Sequence, residues 1–426
     1  MDFKTHLKKY LNDEEIDSLI SSFSSKEHKG FYLNEKKMSK DTLLKLFPNV
    51  KPHPIVPNGF LFDQDEYKLG KFVYHELGAY YIQDPSAMLV AHYLNPKPNQ
   101  RILDMCAAPG GKSIMTSLLM NDTGLLLAND LSSSRANVLL QNVERMGLGN
   151  VVVSSYDLSK FSNELKGQFD GVILDAPCSG SGMFRKMSEM KDDWTYEKVL
   201  KNAAIQKELI LLAYSFLKEG GTLMYSTCSY SFEEDEEVID YLLSKTPAKL
   251  EYIEDFDWFL RSPKFKETIH LLPSKFVGEG HFIAKIKKPG KLSENNEEKI
   301  EISRSEISKG KTRIVNHFIL NQKLPEKVIK FALRPGLFLG SDLNDKFIPS
   351  HHYCHFHNSK ESIELNREET IKFIKGESLI KNNPSRGYQF VSYLGMNLGV
   401  THVVNSTLKN LYPKGLRKSL KIDDSF

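Results

Sequence analysis

Between Arg101 and Lys287 the hydrophobic pattern repeats one rhythm, in which a short unbroken apolar run is followed by a longer stretch at helical spacing. The runs are Arg101-Ile-Leu-Asp-Met105, Leu125-Leu-Leu-Ala-Asn-Asp130, Val151-Val-Val-Ser-Ser155, Asp170-Gly-Val-Ile-Leu-Asp175 and Thr222-Leu-Met-Tyr-Ser226. The repeated alternation predicts an α/β fold, a mainly parallel sheet covered by helices on both faces. Ahead of it, Asn12-Asp-Glu-Glu-Ile16 predicts a capped helix with an acidic first turn, continued by Ile16, Leu19, Ile20 and Phe23. A Pro-rich crossing from Pro48 to Pro57 leads into the middle region. Pro289 to Lys311, rich in Glu, Lys, Ser and Asn, predicts a linker to a separate C-terminal unit.

Composition narrows the class. The chain has 426 residues, 40% hydrophobic and 26% charged, which fits a globular protein of two or three domains. No run has the length of a bilayer-spanning helix and no signal-type apolar start is present, so the expectation is a soluble, cytoplasmic protein with no membrane partner. Four cysteines, at 106, 178, 228 and 354, are too sparse for a disulfide framework and lack paired zinc-ligand spacing, which leaves free thiols for chemistry. The net charge of +3 is small, but Lys381, Arg386, Lys409, Lys414, Arg417, Lys418 and Lys421 lie in one stretch without an acidic residue. Interleaved with Tyr388, Phe390, Tyr393 and Tyr412, they suit either a polyanion or a plain solvated face.

Ligands of open parallel sheets bind beyond the carboxyl ends of the strands, and the polar features of interest fall there. Asp104-Met-Cys-Ala-Ala-Pro-Gly-Gly-Lys-Ser113 follows the first strand and opens a helix. It lacks both the triphosphate-loop spacing and the full dinucleotide fingerprint. Asp130 ends the second strand, where a carboxylate can bind ribose hydroxyls, and Asp157 follows the third, where it can meet an adenine edge. Each Asp alone reads equally as a helix cap or turn residue; together they point to an adenosine ligand without polyphosphate, S-adenosylmethionine. Cys178, in Asp175-Ala-Pro-Cys-Ser-Gly-Ser-Gly182, and Cys228, in Tyr225-Ser-Thr-Cys-Ser-Tyr230, close two further strands and suggest thiolate chemistry on an electrophilic carbon. Arg135 is a candidate for the methionine carboxylate or for a phosphate, though it reads equally as a surface helix arginine, and Arg185 and Lys186 are placed to meet a polyanionic backbone. Glu233-Glu-Asp-Glu-Glu237 reads as the acidic first turn of a helix. His351-His-Tyr-Cys-His-Phe-His357 does not have closed zinc spacing, and an exposed loop or strand edge is expected there; no metal site is expected.

These motifs resemble the Sun-type RNA cytosine-5 methyltransferases, in particular the bacterial 16S ribosomal RNA subgroup with a C-terminal extension. The matching segments are Tyr80-Tyr-Ile-Gln-Asp-Pro-Ser-Ala-Met88, Cys106-Ala-Ala-Pro-Gly-Gly-Lys112, Asp175-Ala-Pro-Cys-Ser-Gly-Ser-Gly-Met-Phe-Arg185, Tyr225-Ser-Thr-Cys-Ser229 and Gly278-Glu-Gly-His-Phe282, in order. Gly30-Phe-Tyr-Leu-Asn34 is similar to the family's N-terminal signature, and Lys409-Asn-Leu-Tyr-Pro-Lys-Gly-Leu-Arg417 to the subgroup's C-terminal domain. The resemblance implies a Rossmann-like S-adenosylmethionine-dependent methyltransferase core. It implies also a small N-terminal α/β domain and a C-terminal PUA-like α+β RNA-binding domain, divided as 1–75, 76–288, a linker 289–311, and 312–426.

The implied activity is methylation of carbon 5 of a cytidine in 16S ribosomal RNA, free or in the 30S subunit, by a monomer that does not act on DNA. Alternatives are the same chemistry on transfer RNA or 23S ribosomal RNA, or a non-catalytic assembly factor. Family precedent makes Cys228 the nucleophile on carbon 6, Cys178 the release thiol, Asp175 the partner of the cytosine's polar edge and of the cofactor, and Lys112 a nearby positive charge. The cofactor set is Cys106, Ala107, Ala108, Pro109, Gly110, Gly111, Lys112, Asp130, Asp157 and Asp175, with the Cys106 side chain packed and only its backbone at the ligand. The chain departs from the pattern at Tyr32, at Ser181 and in Leu272-Pro-Ser-Lys275.

Overall fold

The computed structural model describes residues 2–417 apart from 297, 308–312, 344–345, 358–360 and 383. Lys418 and Lys421 of the basic stretch therefore lie outside the described residues. The core strands are β1 (Arg101–Asp104), β2 (Leu125–Asn129), β3 (Val151–Ser154), β4 (Phe169–Asp175), β5 (Leu217–Thr227) and β6 (His281–Lys287). They lie in the spatial order β6-β5-β4-β1-β2-β3, parallel except for β6. The order reverses between β1 and β4, so the loops leaving these strands diverge and open a crevice at the carboxyl edge.

Successive residues of the strands divide between two cores, as burial on both faces requires. Leu103, Leu125, Leu127, Val152, Leu174 and Tyr225 face one. Ile102, Leu126, Ala128, Val153, Ile173 and Met224 face the other. The helices that matter for the site are α1 (Gly111–Leu119), α2 (Ser133–Met146), α3 (Tyr196–Phe216) and α4 (Glu236–Lys245).

The N-terminal part begins with a short helix over Phe3–Leu7 and a second over Asp13–Ser22, the latter capped at Asn12 as expected, with Glu15 completing a reciprocal capping box. Its apolar face, with Leu7, Leu11 and Phe23, packs on Phe184 and Tyr230, behind the two cysteine loops. A four-stranded antiparallel sheet follows, whose last strand is Tyr80–Gln83, beyond the expected boundary at 75. Inside the stretch expected as a linker, Ile300–Ile307 forms a strand paired with Arg313–Leu320. Polar residues dominate that segment, but alternating Ile300 and Ile302 pack against the core, a signal that bulk composition hides. The C-terminal part is docked on the core. Arg334–Pro335 pairs with β3, and Tyr156 Oη donates to the Val328 carbonyl. Leu320, Leu324, Val328 and Ala332 enter the same hydrophobic core as β1 to β5.

Candidate active site

β4 and β5 are in register with Asp175 beside Ser226, so the loops leaving them start at the same height on the sheet edge. Asp175-Ala-Pro-Cys178 and Thr227-Cys228 converge, and the two Sγ atoms lie 2.8 Å apart, each cysteine partly exposed. Three backbones meet here: Gly182 N–H donates to the Cys228 carbonyl at 2.8 Å, and Gly280 N–H to the Gly182 carbonyl at 2.9 Å. A Cβ on Gly182 would come within 2.5 Å of the Gly280 oxygen, so only glycine closes this corner. Ser181, one of the family departures, is buried and its Oγ accepts from Tyr230 N–H at 2.9 Å.

Asp175 is the electrostatic centre. Its Oδ2 accepts from Lys112 Nζ and its Oδ1 from Ser226 Oγ, each at 2.7 Å, and His281 Nε2 stands 3.7 Å from Oδ1. Burial alone would raise this carboxyl, but Lys112 and His281 outweigh it and hold Asp175 well below the usual carboxylate range. Burial likewise opposes the Lys112 charge, yet Asp175 beside it raises the ammonium, with Asp104 and Cys228 adding to the effect. The hydrogen bond shared with Cys228, then burial, pushes the Cys178 thiol well up.

The cofactor loop lies one strand away. Gly110 takes φ +121°, and Gly111 presents no Cβ where the Gln83 side chain would stand 2.9 Å from it. Asp130, almost fully buried, accepts from Ala108 N–H at 3.2 Å and Ser132 N–H at 3.1 Å, which ties the loop to the end of β2. A turn bare of side chains beside a strand-end carboxylate fits an adenosine-bearing group. Arg135 donates to the Ala108 carbonyl at 2.8 Å and lies 3.3 Å from Asp130, so in this structure it braces the loop. Asp157 caps a short helical turn through Ser159 and is exposed. The Cys106 side chain packs against the core, and burial followed by Asp104 raises its thiol, as expected of a packed residue.

Four expectations change. Arg185 does not face solvent: its guanidinium, 1% exposed, donates to Glu279 at 3.0 Å and to the Gly278 carbonyl at 2.7 Å, whereas Lys186 is exposed. Of the run read as an acidic first turn, Glu236 and Glu237 do open α4, but Glu233, Glu234 and Asp235 precede the helix and are buried, with Glu233 and Glu234 turned inward onto the N-terminal helices and the cysteine loops. His351–Phe356 is a helix against α2 and the strand Met396–Val404, with His352, Cys354 and His355 buried. His352 Nε2 contacts the Leu148 carbonyl at 2.8 Å, so the cluster is an interdomain contact rather than an exposed loop. Tyr412 is buried, its hydroxyl 3.3 Å from Glu76, and leaves the basic face without that ring.

Among the described residues, one group, Asp235, Glu236 and His270, has ligand atoms within 4.8 Å of one another. His270 Nε2 and Glu236 Oε1 are already 2.7 Å apart, a hydrogen-bonded pair. Sequence reasoning assigned no role to His281 or Glu234. His281 stands in a quoted motif, and the register Phe282↔Thr227 places it across from Cys228, a relation visible only once the sheet is built.

Comparison with known proteins agrees with this geometry. Residues 91–287 match the family described as 16S rRNA methyltransferase RsmB/F, residues 1–85 the N-terminal domain of 16S rRNA methyltransferase RsmF, and residues 360–418 the methyltransferase RsmF PUA domain. The ribosomal RNA small subunit methyltransferase F of Vibrio vulnificus is 30% identical over 97% of this chain and 95% of its own. That of Shewanella woodyi is 32% identical over 94% and 93%. Among solved structures, a methyltransferase homolog protein from Pyrococcus horikoshii superposes with TM-score 0.60 and 29% identity over 67% of this chain and 93% of that one. NSun6 from Pyrococcus horikoshii with SFG, at 22% identity and TM-score 0.61 over 68% and 98%, shares the fold. Matched along nearly its whole length, the chain belongs to the 16S rRNA methyltransferase RsmB/F family and is an S-adenosylmethionine-dependent methyltransferase.

Proposed function

We propose that this protein methylates carbon 5 of a cytidine in 16S ribosomal RNA through a covalent cysteine–cytosine intermediate. The observation that carries the proposal is the meeting of the Cys178 and Cys228 thiols at 2.8 Å beside the Lys112–Asp175 pair. Carbon 5 of cytosine is too weak a nucleophile to take a methyl group directly, and addition of a thiolate to carbon 6 converts the ring to an enamine that can. Cys228 is that nucleophile, with the Lys112 ammonium a positive charge near the site. Asp175, ionised, accepts from the polar edge of the base and stabilises charge on its ring nitrogen. Release then removes the carbon 5 proton as the Cys228–carbon 6 bond breaks and the ring double bond re-forms; Cys178 serves this step, its own proton passing to solvent so that its thiolate can take the one from carbon 5. The bound cofactor supplies the methyl group, and Cys106 to Lys112, Asp130, Asp157 and Asp175 are the residues that would hold it.

The relatives' names supply the substrate class, and the match to a PUA domain over 360–418 supports an RNA grip by the C-terminal region, with 91–287 as the catalytic unit and 1–85 flanking it. Exposed Arg386, Lys409 and Lys414 are the cations of that grip. A base must leave its stack to reach the thiols, so the target lies in a loop, bulge or assembly intermediate. The test is incubation with tritiated S-adenosylmethionine and, separately, unmodified 30S subunits, 50S subunits and transfer RNA. Label in 5-methylcytidine from 30S alone is expected; label in another nucleoside or only in transfer RNA would overturn the proposal.

A further inference from the structure

The buried acidic run after the second cysteine holds a carboxylate with a task of its own. Glu234 is fully buried, and its carboxylate stands between the two cysteine loops. Oε1 accepts from Ser179 N–H at 2.8 Å and from Gln206 Nε2 at 3.1 Å; Oε2 accepts from Ser179 Oγ at 2.5 Å and Ser229 Oγ at 2.6 Å. Gln206, on α3, also donates to the Pro177 carbonyl at 2.8 Å. Ser179, after Cys178, and Ser229, after Cys228, are thus gathered on one carboxylate, and Pro177, before Cys178, is tied to it through Gln206.

The grip is unequal. The Cys228 loop has anchors that do not involve the Glu234 carboxylate: its carbonyl accepts from Gly182 N–H at 2.8 Å, Ser229 N–H donates to Thr227 Oγ1 at 3.1 Å, and Thr227 Oγ1 donates to Asp235 at 2.6 Å. On the Cys178 side, Gly182 is the other end of that shared bond and Ala176 N–H donates to the Ser226 carbonyl at 2.8 Å, but the residues flanking Cys178 are held at Ser179 by Glu234 directly and by Ser229 Oγ at 3.2 Å, itself on Glu234, and at Pro177 by Gln206, which Glu234 engages. Burial raises the Glu234 carboxyl, while the Ser179 and Ser229 hydroxyls and the Ser179 N–H favour its ionised form. Charge-assisted hydrogen bonds of this kind fix geometry more firmly than neutral ones.

We infer that Glu234 is a positioning residue for Cys178, holding the release thiol against Cys228 so that the covalent intermediate can be resolved. The inference rests on the proposed two-cysteine reaction. Its mark is selective: without Glu234, Cys228 still adds to the base, but Cys178 is no longer presented and the adduct persists. A residue that merely supported the fold would lower addition and release together.

The test uses full-length protein with unmodified 30S subunits and S-adenosylmethionine, reading multiple turnover, the fraction of protein covalently attached to RNA, and cofactor binding. Glu234→Ala removes the carboxylate. Glu234→Asp keeps the charge but withdraws it by one methylene, and remains informative if the alanine variant does not fold. Both are expected to lose about tenfold or more in turnover, the worth of one or two charge-assisted hydrogen bonds, and to accumulate adduct as Cys178→Ala does. Glu234→Gln, whose amide oxygen can accept from Ser179 N–H and Gln206 while its nitrogen donates to both hydroxyls, each turned to accept, is expected to recover most of the turnover. Wild-type turnover in Glu234→Asp without adduct overturns the inference. Loss of turnover without adduct, with cofactor binding intact, overturns it as well. If Cys228→Ala itself retains activity, the two-cysteine reaction fails, a result distinguishable from either.

Discussion

Individual side chains carry sharply different duties in this site, and their protonation can be tested separately. Asp104 ends β1 fully buried, and burial raises its carboxyl to about 7 even though Ser113 Oγ donates to it at 2.7 Å. A carboxyl raised in the fold above its unfolded value of about 4 stabilises the protein below that value and loses this contribution as pH rises toward 7. Asp104→Asn should therefore match the wild type in denaturant unfolding at pH 4 and exceed it at pH 8; equal stability at both would contradict the assignment. Asp130→Ala should weaken S-adenosylmethionine binding by about tenfold or more, the worth of a charge-assisted hydrogen bond pair, with RNA affinity little changed. Unchanged cofactor affinity in calorimetry would remove it from the ribose site. The cysteines, the glycine turn and the strand-end aspartates were legible in the sequence because each is a residue type with a narrow physical use at a strand end. Glu234 and His281 were not, because nothing in an acidic run or a lone histidine says whether the chain will turn it inward.

Secondary elements were the most legible level, since unbroken apolar runs such as Val151–Val153 allow little besides a doubly buried strand. The helix after Asn12 was equally plain from its cap residue, acidic first turn and apolar spacing. What periodicity could not supply was register, which decides that Asp175 meets Ser226 and that the cysteine loops converge. The corner where Gly182 passes between the Cys228 and Gly280 backbones follows from that register. Gly182→Ala should force these backbones apart, lower stability by roughly 1–3 kcal/mol as overpacking does, and cut turnover with it. A thermal midpoint and turnover equal to wild type would show that the corner tolerates a side chain.

At the scale of the molecule, a low-hydrophobicity stretch read as a separator is part of one continuous assembly. Ile300 and Ile302 of that stretch pack against the methyltransferase core, Leu320, Leu324 and Val328 beyond it enter the same core, and Arg334 ion-pairs with Glu144 on α2. A chain ending near Lys288 should therefore be thermally destabilised or aggregate, rather than remain a well-folded enzyme with weaker RNA binding; a cooperative melt at the full-length midpoint would contradict this. Reversal of exposed Lys409 and Lys414 to Glu is the cleaner probe of RNA grip, expected to weaken RNA binding and flatten its salt dependence with S-adenosylmethionine binding intact. The two-thiol reaction itself is tested most directly in the full chain by following covalent protein–RNA adducts under denaturing conditions, using Cys178→Ala, Cys228→Ala and the double variant with 30S subunits and S-adenosylmethionine. Adduct in Cys178→Ala alone, with no methylation by Cys228→Ala, is the predicted result; methylation by Cys228→Ala, or adduct surviving in the double variant, would contradict it.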